Sequence, residues 1–195
     1  HHSPLGKTFT MLHFNVTLLN PKAVSFIAEL PAEVKPDAIS LVETHLMGAP
    51  LNRVRRVMQK CGWRMFSAPA LAKCDRDERI GDVCKPSATR VVAPTGTYHN
   101  TGGEAVLVDP SCKASGYHQS KDHFGFRSVL IRMKGWTLHC IAAYFDAEWP
   151  LEAGPNAHKW RSITSLIPAM QVPWIIAADC NKTPDEVAHT SFVRY

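Results

Sequence analysis

The 195-residue sequence predicts an α/β layered domain in which strands outnumber helices. Three observations carry that expectation. Apolar and β-branched runs alternate with amphipathic segments in the order strand, helix, strand, helix, several strands, helix, strand. Helix boundaries carry their own chemistry, with Asn20-Pro21 and Thr183-Pro184-Asp185-Glu186 as starts and Gly62 as a stop. No internal repeat or low-complexity tract interrupts the order, and the length suits one domain.

Taken in order, Phe9 to Val16 reads as a first strand. Asn20 then caps a helix with proline at its first position, and Val24, Ile27 and Leu30 give residues 21–31 an apolar face. Lys35-Pro36-Asp37 turns the chain into a buried strand, Ala38 to Val42, which runs into Glu43-Thr44-His45. Leu51, Val54, Val57, Met58 and Cys61 recur at helical spacing, and Gly62 suits the left-handed position that ends such a helix. The opposite face carries Arg53, Arg55, Arg56 and Lys60. Trp63 to Ser67 is the next strand. Residues 68–101 are rich in Pro, Gly, Asp, Lys and Thr and are expected to be a loop insertion. Gly102 to Val108 opens another strand, and residues 127–133 and 136–145 form a hairpin around Lys134-Gly135. Trp160, Ile163, Ile167 and Met170 mark a helix over 156–170, Val172 to Ala178 a strand, and the capping box at Thr183 a last helix.

Composition narrows the function classes. Hydrophobic residues make up 45% and charged residues 20%, close to the globular average, which excludes wholesale disorder. No apolar run approaches the ~20 residues of a membrane helix, so no membrane partner is expected. The net charge of +5 permits a polyanionic partner without demanding one. Six cysteines occur without a C-x-x-C pair, which argues against a zinc ribbon and fits an intracellular, nuclear or cytoplasmic setting. Cys74, Cys84 and Cys112 share a polar stretch with His99, His118 and His123, and free thiols are expected there rather than a metal knuckle. Cys140 and Cys180 lie in strand-like runs and read as small buried hydrophobes. Trp63, Trp136, Trp160, Trp174 and His13 are read as core side chains, and residues 1–8 as a tail or tag remnant.

The chemistry lies at three strand ends: Phe14-Asn15-Val16, Leu41 to His45, and Ile175 to Asn181. Asp179 and Asn181 alternate along a strand and so face one space. A carboxylate beside amide oxygens suits a hard divalent cation that keeps several waters. The basic helix face, with Arg127, Lys159 and Arg161, is available to a phosphate backbone, although a solvated face is the ordinary reading.

Together the segments resemble the endonuclease/exonuclease/phosphatase (DNase I-like) superfamily. The family pattern runs Asn-Val, PDxxxLQETH, GGxAxLV, a strand ending in Tyr, and GDFN. Here these stand as Asn15-Val16, Pro36 to His45, Gly102 to Val108, Tyr144, and Ala178 to Asn181, over residues 10–187 apart from 68–101. The resemblance implies a DNase I-like four-layered α/β sandwich over residues 9–195, incomplete at the C-terminus. It implies Glu43 as the main ligand of Mg²⁺ (or Mn²⁺), with Asn15 beside the metal and the phosphate. It further implies Asp179 activating water, Asn181 holding the scissile phosphate and Tyr144 donating to a phosphate oxygen. The function implied is a phosphodiester hydrolase, endonuclease-like and of retroelement type, with DNA as substrate. The alternatives are an inositol or lipid phosphatase of the same superfamily, or a catalytically dead relic or binding module. Ala178, Cys180 and Val42 depart from the family's Gly, Phe and Gln, and Phe145-Asp146-Ala147 from its proline-rich turn. No Ser-Asp-His follows Asn181, and Asp122-His123 precedes it in the wrong order, so impaired activity is expected.

Overall fold

The computed structural model describes residues 8–72, 100–116 and 126–190. These residues form two four-stranded sheets, a two-stranded ribbon and four helices. In the first sheet β1 (Met11–Asn15), β2 (Ala38–Val42), β6 (Glu104–Val108) and β3 (Arg64–Ala68) lie in the order β1-β2-β6-β3. In the second, β10 (Trp174–Asp179), β9 (Trp136–Tyr144), β8 (Phe126–Met133) and β7 (Lys113–Gly116) lie in the order β10-β9-β8-β7. Each sheet has one parallel pair, β1 with β2 and β10 with β9, and is otherwise antiparallel.

The layers follow from which face each strand must cover. Ile39, Leu41 and Leu107 pack outward against α1 (Pro21–Ala28) and α2 (Gly48–Lys60) through Val24, Ile27, Leu51 and Met58. Val106, Val108, Val129, Ile131, Cys140 and Ala142 meet between the two sheets. Ile141, Ala143 and Phe145 pack outward with Ile163 of α3 (Gly154–Met170). The arrangement is the four-layered α/β/β/α sandwich that the sequence implies, and it explains why all five residues of β2 and of β6 are buried: both of their faces are covered.

Local signals behave as their chemistry dictates. Asn20 accepts the Ala23 N–H at 3.0 Å ahead of Pro21. After α2, Gly62 takes φ +77° and the Gly62 and Trp63 N–H groups close back onto Gln59 and Met58 carbonyls, a Schellman ending. Thr183 and Glu186 cap α4 (Pro184–Ala188) reciprocally. Three expectations change. The short β4 (Leu71–Ala72) and β5 (Asn100–Thr101) pair antiparallel, so the segment read as a loop from residue 68 is zipped at its base; its residues 73–99 lie outside the described residues. The polar β7 was not expected; among the described residues it is an exposed edge that pairs with β8 alone. Trp63 is core, whereas Trp136 and Trp174 are exposed, because each begins a strand beyond the reach of the covering layers. Cys61, Cys140 and Cys180 are thiols and the Cys112 thiol points at Asp37 Oδ1 at 3.8 Å, while Cys74, Cys84, His99, His118, Asp122, His123 and residues 1–7 lie outside the described residues. No helix among the described residues is long and apolar enough to cross a membrane.

Candidate active site

The two parallel pairs set the site. β1, β2, β9 and β10 all end at one side of the sandwich, and Asn15, Glu43, Tyr144 and Asp179 stand at or just past those ends. The Asn15 side chain reaches across both sheets at this end. The Asn15 amide nitrogen donates to Glu43 Oε2 at 2.7 Å and to Asp179 Oδ2 at 2.6 Å. Its oxygen accepts the Thr17 N–H at 2.8 Å. All three partners are satisfied by one amide orientation only, so Asn15 cannot flip without placing its oxygen against two carboxylates.

Glu43 is aimed by its backbone. It adopts φ +55° and His45 φ +54°, left-handed conformations that non-glycine residues enter at a cost. Between them the Thr44 N–H donates to Gly103 O and the His45 N–H to Gly102 O, each at 3.0 Å, which straps the turn to the start of β6. Gly103 has no substitute here: a Cβ on it would lie 2.5 Å from Thr44 Oγ1, and its φ is +87°. This is a physical reason for the paired glycines in the sequence.

Asp179 and Asn181 hold each other. Asp179 Oδ1 accepts the Asn181 N–H at 2.9 Å, Asn181 takes φ +47°, and its amide nitrogen donates to Phe145 O at 2.8 Å. The Phe145 N–H returns to Asp179 O at 2.9 Å. Burial raises the Tyr144 hydroxyl above the ordinary phenol range, and the Glu43 carboxylate it faces raises it further, so Tyr144 stays a hydrogen-bond donor at any physiological pH. An open depression of about 760 Å³ runs from Asp179 and Asn181 along α4 to Glu186 and Ala188.

All five residues singled out in the sequence are therefore gathered at one place. Two neighbouring expectations are corrected. Lys159 does not belong to a basic surface: it is 9% exposed, with its ammonium donating to the Tyr144 carbonyl. His13 is not core; it is exposed, and its Nδ1 lies 3.1 Å from Ser40 Oγ. Sequence reasoning missed Glu104, Asn156 and the true place of Lys159. Helical spacing held the signal, since Asn156, Lys159 and Ile163 fall on one face of α3 and Ile163 is wholly buried.

Among the described residues no group of three or more His, Cys, Asp or Glu side chains converges to enclose an ion. Glu43 and Asp179 nonetheless bring carboxylate oxygens to one exposed place, where both accept from the Asn15 amide nitrogen. That fits Mg²⁺ or Mn²⁺ held by one or two carboxylates with water in its remaining positions, and does not fit a softer ion.

The fold is that of the DNase I-like endonuclease/exonuclease/phosphatase superfamily. The chain is similar to the endonuclease domain of TRAS1, a telomere-specific non-LTR retrotransposon, at 14% identity and TM-score 0.52, over 91% of this chain and 61% of that one. It is similar to D. rerio TDP2 complexed with single strand DNA product, at 13% identity and TM-score 0.54, over 94% of this chain and 64% of that one. An AP endonuclease from Archaeoglobus fulgidus matches at 13% identity and TM-score 0.53, over 92% and 63%. The 195 residues thus align with about six-tenths of the length of each of these three structures. No protein-family profile and no curated protein matches the sequence.

Proposed function

We propose that the chain carries the catalytic centre of a divalent-cation-dependent phosphodiester hydrolase, endonuclease-like and of retroelement type, with DNA as substrate. The observation that carries the proposal is the single Asn15 amide joining Glu43 of one sheet to Asp179 of the other. Similarity to a retrotransposon endonuclease, to a TDP2 crystallised with single strand DNA product and to an AP endonuclease supports the nuclease branch.

Glu43 is the residue that would hold Mg²⁺ or Mn²⁺, with Asn15 beside it; the bound cation would neutralise charge developing on the phosphoryl oxygens. The rest is the work of the chain itself. Asp179 orients and deprotonates the attacking water, a task for a carboxylate held by hydrogen bonds rather than by bulk water. Asn181, locked to Asp179 and Phe145, presents its amide to the scissile phosphate, and Tyr144 donates its retained proton to a phosphate oxygen. Residues 182–195 supply no Ser-Asp-His, so these 195 residues alone should run about 10²–10⁴-fold slower than a chain with a general acid for the leaving group.

Mg²⁺-dependent nicking of supercoiled plasmid tests the reading. The Glu43→Ala and Asp179→Ala variants should each lose about 10²–10⁴ in rate. Equal cleavage by either variant sinks the assignment. Turnover of inositol phosphates in place of DNA would move it to the phosphatase branch, and no turnover of either would favour the relic or binding module.

A further inference from the structure

We propose that Arg53, Arg56 and Lys60, the outward ridge of α2, dock the phosphodiester backbone of duplex DNA away from the scissile position. DNA as the ligand rests on the function proposed above, and the ridge adds a second contact surface to it. Helical geometry defines the ridge. At about 100° per residue, Arg56 and Lys60 fall within about 60° of Arg53. Leu51 and Met58 project from the opposite side and are buried in the core that holds Ile39, Leu41 and Leu107 of the first sheet. Arg53, Arg56 and Lys60 are all exposed, so the ridge faces solvent.

The charge pattern is what separates this ridge from an ordinary solvated face. The 13 residues of α2 include four Arg and Lys side chains and no acidic one. A solvated helix face ordinarily interleaves both signs. Arg55 has partners, since its guanidinium donates to Asn52 Oδ1 at 3.2 Å and to Ser67 Oγ of β3 at 2.8 Å. Among the described residues Arg53, Arg56 and Lys60 make no ion pair and no side-chain hydrogen bond. Like charges three and four residues apart on a helix repel, so the ridge is unfavourable until an anion neutralises it. The helix dipole favours Lys60 in the last turn but gives no reason for Arg53 and Arg56. α3 shows the contrast: Lys159 is buried and Arg161 is its one exposed Lys or Arg.

The dimensions fit a nucleic-acid backbone. Arg53 and Lys60 stand about 10 Å apart along the axis, at ~1.5 Å per residue. Each strand of duplex DNA carries a charge every ~3.4 Å of axis, so the ridge runs past about three phosphates. Its place in the fold fits as well. α2 begins at Gly48, five residues past Glu43, which is at most about 18 Å of chain. From there the helix runs back over the first sheet, with Leu51 and then Met58 in its core. The ridge therefore starts on the flank of the catalytic end and leads away from it. Contacts of this kind hold and orient the duplex without reading its sequence.

The test follows the anisotropy of a fluorescein-labelled DNA duplex titrated with the full chain in EDTA, which prevents turnover, across about 50–200 mM KCl. The triple variant Arg53→Gln, Arg56→Gln, Lys60→Gln should make the slope of log affinity against log salt shallower by about 2.7, three contacts at ~0.9 each. Each single change should make it shallower by about 0.9. The double variant Arg53→Lys, Arg56→Lys keeps the charge and should keep the wild-type slope, as should Arg161→Gln on α3. Urea midpoints should match wild type, because all three side chains are exposed. In plasmid nicking the triple variant should raise KM by about ten-fold or more and leave kcat within about two-fold. A triple variant with wild-type slope and affinity overturns the proposal and leaves the ridge a solvated face. So does an unmodified chain that does not bind the duplex, or a loss seen with phosphatidylserine vesicles or single-stranded RNA but not with the duplex. If the chain binds the duplex with the expected slope change yet cleaves nothing, the catalytic reading fails and the docking surface stands.

Discussion

Asn156 offers the sharpest test of how the turn behind the site is held. It is completely buried near the start of α3 and makes three hydrogen bonds with the segment that follows Phe145. Its Oδ1 accepts the Asp146 N–H, and its Nδ2 donates to the carbonyls of Asp146 and Trp149, all at 2.9 Å. Asn156→Ala removes all three partners at once. At ~1 kcal/mol net per bond, with backbone groups left unpaired, the cost is about 3 kcal/mol. For a chain of this size that lowers Tm by about 6–12 °C. Asn156→Asp should be worse than alanine despite its near-identical shape, since it places carboxylate oxygens against two carbonyls that need a donor. Urea unfolding followed by tryptophan fluorescence and circular dichroism measures both variants. An alanine variant within about 1 kcal/mol of wild type, or an aspartate variant as stable as asparagine, would refute the claim that this side chain organises residues 146–149.

Other outcomes follow from the same geometry. Asn15→Ala should cost less than ~1 kcal/mol of stability, because Asn15 itself is solvent-exposed, yet slow Mg²⁺-dependent cleavage by about a hundred-fold; parallel unfolding and nicking assays separate the two effects. Gly103→Ala should destabilise by about 3 kcal/mol, combining a left-handed backbone with a Cβ 2.5 Å from Thr44 Oγ1, and should slow cleavage as the Glu43 strap shifts. His139, wholly buried beside Ser128, has its pKa lowered by burial from 6.5 to about 4. The unfolded chain takes up a proton below pH 6.5 that the folded chain refuses until about pH 4, so up to about 3 kcal/mol of stability is lost as pH falls across that window. Unfolding midpoints measured from pH 7.5 to 4 should show the loss, and His139→Leu should flatten it.

Much of this could be read before any coordinates. Periodicity and cap chemistry located β1, α1, β2, α2, β6, the β8–β9 hairpin, α3, β10 and α4, because each buries a regular face or carries a local stop or start signal. Asn15, Glu43, Asp179 and Asn181 stood out at strand ends, and Tyr144 through the family resemblance alone. Edge elements were not. Lys113 to Gly116 has no apolar alternation, so β7 exists only because β8 offers it hydrogen-bonding partners. The β4–β5 ribbon joins residues 28 and 30 apart by backbone pairing, which no side-chain pattern reports. Trp136 and Trp174 show that residue size predicts burial poorly at strand starts. Glu104, Lys159 and Asn156 escaped because polar residues are read as surface by default; their burial depends on tertiary neighbours that only the folded layers supply.

The two hydrogen bonds of Asn15 also set a timetable. Its bond to Glu43 closes over 28 residues, whereas its bond to Asp179 closes over 164. During synthesis the first sheet can be completed when Val108 has left the ribosome, but the second carboxylate arrives only with β10, the last strand described. Between the emergence of Gly102 and Gly103, which complete the strap, and that of β10, a nascent chain therefore carries Glu43 and Asn15 without the carboxylate proposed to activate water. On the proposed function, the chain should be inert toward DNA until its second parallel pair docks.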